Sequence, residues 1–231
     1  MNLLIIILGL LPGFAWLLFY LKEDLHPEPK KMLAKVFLVG ALSAIAALVI
    51  QLLIISVSPV SLEIAQKLWW KKLLVLALIF IFAAVEEIVK FAAAYFVVAK
   101  SKYFDEPVDA MIYMAVAALG FATVENLGAL SDIGTPVLLS GVFEIAAFRF
   151  VGTTLLHTLT SSIAGYFWAL GIRNFKSRKF IVYGLILAAI LHAAFNYLIL
   201  TTVNLLFPIA FVTIVGLFML GDFDRLRREQ I

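Results

Sequence analysis

Seven apolar runs of 18 to 27 residues dominate the chain, at about 3–21, 33–57, 73–99, 108–130, 150–172, 181–201 and 203–220. A helix needs about 20 apolar residues to cross the hydrocarbon of a bilayer. Backbone in lipid must satisfy its own hydrogen bonds, which restricts such runs to helices. The predicted fold is all-α: a polytopic membrane helical bundle of about seven to eight transmembrane helices, forming one domain over residues 1–231. The run at 203–220 is the shortest, and its boundary at Asn204–Pro208 is the least defined. Residues 135–148 are apolar but interrupted by Pro136, Gly141 and Glu144 just after Gly134. They predict a re-entrant or interfacial helix, with an eighth crossing as the alternative.

Composition narrows the function classes. Hydrophobic residues make up 64% of the chain and charged ones 14%, with a mean hydropathy of +1.08, which excludes an ordinary soluble domain. There is no cysteine, so disulfides, a thiol nucleophile and thiolate metal sites are excluded. No basic stripe with interleaved aromatics is present, which sets nucleic acid aside and leaves the lipid bilayer as the surrounding partner. No basic segment precedes the run at 3–21 and no small-residue cleavage site follows it, so it reads as a retained span rather than a cleaved signal. Lys22, Lys30, Lys31, Lys35, Lys100, Lys102, Arg173, Lys176, Arg178, Lys179, Arg225, Arg227 and Arg228 share one side of a seven-span chain. Lys67, Lys71 and Lys72 oppose them. The imbalance predicts an integral cell-membrane protein with an outer N-terminus and a cytoplasmic C-terminus.

Ionisable groups inside the spans are few: Glu86, Glu87, Lys90, Glu125, His157 and His192, accompanied by Asn126 and Asn196, with Arg149 at a span end. A charge at the bilayer centre costs about 2.5–3.5 kcal/mol on insertion scales, so each needs a partner or a task. Lys90 stands i+4 from Glu86 and i+3 from Glu87 and can pair with either. His192 and Asn196 share a helix face, as do Phe121 and Glu125. Glu86 and His192 lie near the midpoints of their spans. Glu125 lies roughly 9 Å outward, and His157 and Asn196 roughly 6 Å outward, at about 1.5 Å of rise per residue. Because spans alternate in direction, these groups fall in one half of the bilayer. Taken singly, Glu86, Glu87 and Lys90 also read as an internal salt-bridge cluster, and His157, His192 with Asn196, and Asn126 as hydrogen bonds between helices. Together, at one depth, they compose a catalytic or metal site. A proton- or ion-coupled transporter would use the same carboxylates, but would more often show internal repeats and broken helices.

The ordered set Glu86-Glu87-x-x-Lys90, Phe121-x-x-x-Glu125-Asn126, His157 and His192-x-x-x-Asn196 resembles the PrsW family of intramembrane proteases, within the superfamily of CAAX prenyl endopeptidases and bacteriocin-processing enzymes. His26-Pro27-Glu28-Pro29 is similar to that family's acidic loop, and Glu106-Pro107-Val108-Asp109 leading to Gly120-Phe121-Ala122 to its fourth-span approach. The resemblance implies hydrolysis of peptide bonds in or beside the membrane. It also implies a membrane-anchored protein substrate of the anti-sigma-factor kind. Glu125 stands where the wider superfamily has a His, as in PrsW-like members. The expected mechanism uses a water activated by Glu86 or Glu87, with Glu125 or His157 holding the water or moving the proton. His192 and Asn196 would then hold the oxyanion, and Lys90, Asn126 and Arg149 would support the site. No cofactor is required on this reading. Its rival is zinc held by Glu87, Glu125, His157 and His192, although no His-Glu-x-x-His helix is present.

Overall fold

The computed structural model describes residues 3–20, 27–57, 69–131, 139–173 and 178–228. Lys22, His26, Lys67, Gly134, Pro136 and Lys176 lie outside the described residues. Within them the chain is helical and has no strand: α1 (Leu3–Tyr20), α2 (Lys30–Val57), α3 (Trp69–Val98), α4 (Pro107–Ser131), α5 (Leu139–Phe148), α6 (Thr154–Arg173), α7 (Arg178–Thr201) and α8 (Leu206–Arg228). A π-helical turn, Arg149–Thr153, joins α5 to α6. Among the described residues six helices are long and apolar enough to cross a membrane, the α5–α6 unit counting as one, Gly141–Ile172. α3 spans 30 residues, but every 18-residue window of it holds at least three charged residues, from Lys71, Lys72, Glu86, Glu87 and Lys90. The polytopic helical bundle expected from the apolar runs is the observed architecture.

Of the re-entrant or interfacial helix expected at 135–148, residues 135–138 lie outside the described residues, and the rest does not form a separate helix. Residues 139–148 run through the π turn into α6 as one helix. Gly141 and Glu144 are tolerated because neither breaks the i→i−4 ladder as a proline would. The extra residue of the π turn rotates α6 relative to α5, a device common at functional sites. Trp16 Nε1 on α1 donates to the Phe150 carbonyl within this turn, at 2.9 Å.

α4 is the axial helix. From Val108 to Thr123 every residue is buried, and α1, α2, α3 and α6 pack around it. Glycine permits the close approach. A Cβ on Gly120 would lie 2.0 Å from the Phe37 carbonyl oxygen of α2, and one on Gly40 would lie 2.2 Å from the Ala117 oxygen of α4. The two backbones therefore touch, the small-residue mode of helix association in lipid, where apolar side chains gain little from leaving the solvent. The outer face of α2 is exposed and apolar, with Leu38, Leu42, Leu52 and Leu53 each more than half exposed, as a lipid-facing surface requires.

Candidate active site

Five helices and the π turn deliver the polar groups to one place. α3 supplies Glu86, Glu87 and Lys90, which are 7%, 0% and 0% exposed. α4 supplies Phe121, Glu125 and Asn126, the π turn Arg149 and Thr153, α6 His157, and α7 His192 and Asn196. Glu86, Glu125, Arg149, Thr153, His157, His192 and Asn196 line a single cavity of about 410 Å³, together with Gln51, Ala44 and Ala47 of α2. The groups expected at one depth thus face one cavity. Glu87 stands behind this wall, and Asn126 behind Arg149.

The two glutamates, adjacent in sequence, have opposite surroundings. Glu87 Oε1 accepts from Lys90 Nζ at 2.9 Å and from Thr160 Oγ1 at 3.1 Å, and Oε2 accepts from Ser161 Oγ at 2.7 Å. His192 Nδ1 stands 2.9 Å from Oε1. A carboxylate only accepts, so the His192 proton is assigned to Nδ1, which leaves Nε2 bare. Glu86 has one donor, Gln51 Nε2, on Oε1 at 3.0 Å. Its buried Oε2 has no hydrogen-bond partner. That oxygen lies 3.5 Å from His192 Nε2, and 3.9 Å from both His157 Nδ1 and Lys90 Nζ.

The remaining groups lock the histidines. Lys90 Nζ sits 2.8 Å from His157 Nδ1 and 4.5 Å above the centre of the Phe121 ring. An ammonium only donates, so His157 accepts at Nδ1 and carries its proton on Nε2, which faces Glu125 Oε2 at 2.6 Å. Arg149 Nη2 stands 3.8 Å from the same carboxylate oxygen, while Arg149 Nε donates to Asn126 Oδ1 at 2.6 Å. Asn126 in turn donates to Thr154 Oγ1 at 3.0 Å. Glu125, Asn126 and Arg149 therefore form one chain of contacts behind His157.

Residues 28–220 match the PrsW family of intramembrane metalloproteases. The chain belongs to this family. It is 31% identical over 194 residues to Protease PrsW of Geobacillus kaustophilus (strain HTA426), covering 83% of this chain and 78% of that protein. The PrsW protease of Bacillus subtilis (strain 168) is 28% identical over 205 residues, covering 87% and 84%. That of Oceanobacillus iheyensis (strain DSM 14371 / CIP 107618 / JCM 11309 / KCTC 3954 / HTE831) is 27% identical over 193, covering 83% and 80%. No solved structure matches the chain. Membership of PrsW makes the protein a membrane-embedded protease.

The PrsW description as metalloproteases directs attention to metal donors. Glu86, His157 and His192 form a buried group whose ligand atoms lie within 4.8 Å of one another, and it could hold a metal ion. This differs from the set expected from sequence. Glu87 and Glu125 do not join it: Glu87 has its oxygens filled by four neighbours, and Glu125 is turned to the far nitrogen of His157. Sequence reasoning missed Gln51, Ser161 and the bond of Thr160 to Glu87. Gln51 had a signal, being the one amide in an otherwise apolar run, and the Thr158–Ser162 hydroxyls had another.

Proposed function

We propose that this chain, acting as one unit over residues 1–231, cleaves membrane-anchored proteins of the anti-sigma-factor kind, with Glu86 as general base toward a water. The observation that carries this is Glu86 Oε2, a buried carboxylate oxygen with no donor, beside the bare Nε2 of His192, on a residue that lines the cavity. A water entering there donates one hydrogen to Glu86 Oε2 and the other to His192 Nε2, aiming its lone pair at a bound peptide carbonyl. Glu86 takes the proton as the C–O bond forms. It returns the proton to the amine as the C–N bond breaks. Asn196, Arg149 and the Thr153 hydroxyl, which also lacks a partner, are placed to donate to the oxyanion. Glu87 and Lys90 act through the histidines: Glu87 fixes the His192 tautomer, and Lys90 fixes that of His157.

The donor types of Glu86, His157 and His192 fit zinc, and these three would hold it. When bound, zinc would acidify a water and polarise the carbonyl. Lys90 already fills His157 Nδ1 and stands beside Glu86 Oε2, so loading the trio requires that ammonium to withdraw. For this reason the protein's own groups are assigned the water. The excess of basic residues at the end holding Lys30, Lys100 and Arg178 supports the outer N-terminus and a cavity in the outer half of the cell membrane.

Co-expression with tagged single-span proteins tests the assignment. Glu86→Gln is expected to lower cleavage by at least about 100-fold, the usual worth of a general base, while inserting normally. Wild-type fragment yield from Glu86→Gln would remove the base from this residue.

A further inference from the structure

A second cavity, of about 710 Å³, lies at the opposite end of the bundle, between α3, the start of α4, α6 and α7. Its walls are aromatic: Phe91 and Tyr95 of α3, Phe104 before α4 and Trp168 of α6. Trp168 is the hub, with ring centres 5.3, 5.7 and 4.7 Å from those of Phe91, Tyr95 and Phe104. Charge of both signs meets at the same cavity, with Asp105 and Glu106 on one wall and Arg178, at the start of α7, on another. Val182 and Tyr95 also line it and are 52% and 41% exposed, so the cavity is continuous with the outer apolar flank of α3 and α7. None of these residues belongs to the proteolytic cavity.

We infer that this cavity binds a phospholipid bearing an ethanolamine head, its phosphate on Arg178 and its ammonium between Asp105, Glu106 and the aromatic walls. The charges select that occupant. Arg178 offers a phosphate two parallel N–H donors. A head with net negative charge meets the two carboxylates and is disfavoured. A primary ammonium brings three N–H donors to carboxylates that only accept, and a choline head brings none. Tyr95, 41% exposed, adds attraction for the cation through its ring. The setting agrees, because Trp and Tyr concentrate at headgroup depth and the flank at Val182 takes the acyl chains. A volume of 710 Å³ lies within the ordinary range of small-molecule sites.

The experiment uses the full-length protein, delipidated in detergent. It is titrated with phosphatidylethanolamine, phosphatidylglycerol or phosphatidylcholine carrying the same brominated acyl chains. Bromine quenches nearby indoles, and subtracting the Trp168→Phe titration isolates Trp168 from Trp16, Trp69 and Trp70. Quenching of Trp168 is expected to saturate at least about tenfold lower in phosphatidylethanolamine than in either other lipid, the worth of one charge-assisted contact. Arg178→Gln and the pair Asp105→Asn with Glu106→Gln should each remove that preference. Three coincident curves would reduce the cavity to ordinary boundary lipid, and tightest binding of phosphatidylglycerol or phosphatidylcholine would refute the head assignment. Displacement by millimolar free phosphoethanolamine would replace the lipid with a soluble ligand. The comparison of heads on the unmodified chain stands even where a variant fails to fold.

Discussion

Glu86 and Glu87 have the same chemistry and differ only in what faces them. Glu87 is satisfied on all sides, and its carboxylate organises Lys90, Thr160, Ser161 and His192. Removing one member of a buried ion pair strands the other, at a cost of about 3–5 kcal/mol. Lys90→Met is therefore expected to lower the thermal unfolding midpoint sharply, read by scanning fluorimetry in detergent. A midpoint equal to that of the parent would show that the pair is not buried as described. Gln51 has a subtler task. Its amide holds Glu86 Oε1, which leaves Oε2 without a donor. Gln51→Leu should reduce kcat by about tenfold, one hydrogen bond to a charged group, with KM unchanged. A rise in KM alone would make Gln51 a substrate contact instead.

Among the helices, α4 decides whether the site can assemble. Gly120 lies one residue before Phe121 and five before Glu125, at the point where α4 meets the α2 backbone. A side chain there must separate the two helices. Overpacking costs about 1–3 kcal/mol where side chains can yield, and backbone atoms 2.0 Å away cannot. Gly120→Val is expected to lose cleavage and lower the unfolding midpoint together. Gly128 has no atom within 4 Å of an added Cβ, so Gly128→Ala should leave the midpoint unchanged. If both variants unfold like the parent, α2 and α4 do not touch at Gly120. The π turn matters for a different reason, since it turns Arg149 and Thr153 into the cavity within a helix that continues on both sides.

For the molecule as a whole, the open chemical question is which cation serves the cavity. Lys90 places an ammonium against His157 Nδ1 and 3.9 Å from Glu86 Oε2, where an ion held by the trio would meet it. Chelator-washed protein is accordingly expected to keep its cleavage activity, with elemental analysis showing less than one metal per chain. Loss of cleavage on chelation, restored by zinc, would move water activation from Glu86 to the ion. The proteolytic and aromatic cavities lie at opposite ends of the bundle, and the proposed headgroup site can be altered at Arg178 without touching the proteolytic residues.

The amino-acid sequence by itself determined the helical membrane fold, because apolar runs of this length have no other stable form in lipid. It also determined that Glu86, Glu125, His157, His192 and Asn196 share a depth, because alternating spans convert sequence position into height. The motif spacing was enough to point to the PrsW family. Tertiary structure decided the rest. Azimuth around a helix buried on every side, as α4 is, leaves no apolar stripe to read, so contacts across helices could not be assigned. Lys90 could reach either glutamate in sequence, and packing against α6 and α7 gave it to Glu87. Only the assembled bundle shows that Thr160, Ser161 and His192 converge on Glu87 while Glu86 is left facing the cavity. The difference between two adjacent, identical side chains is set entirely by which neighbours the fold places beside each.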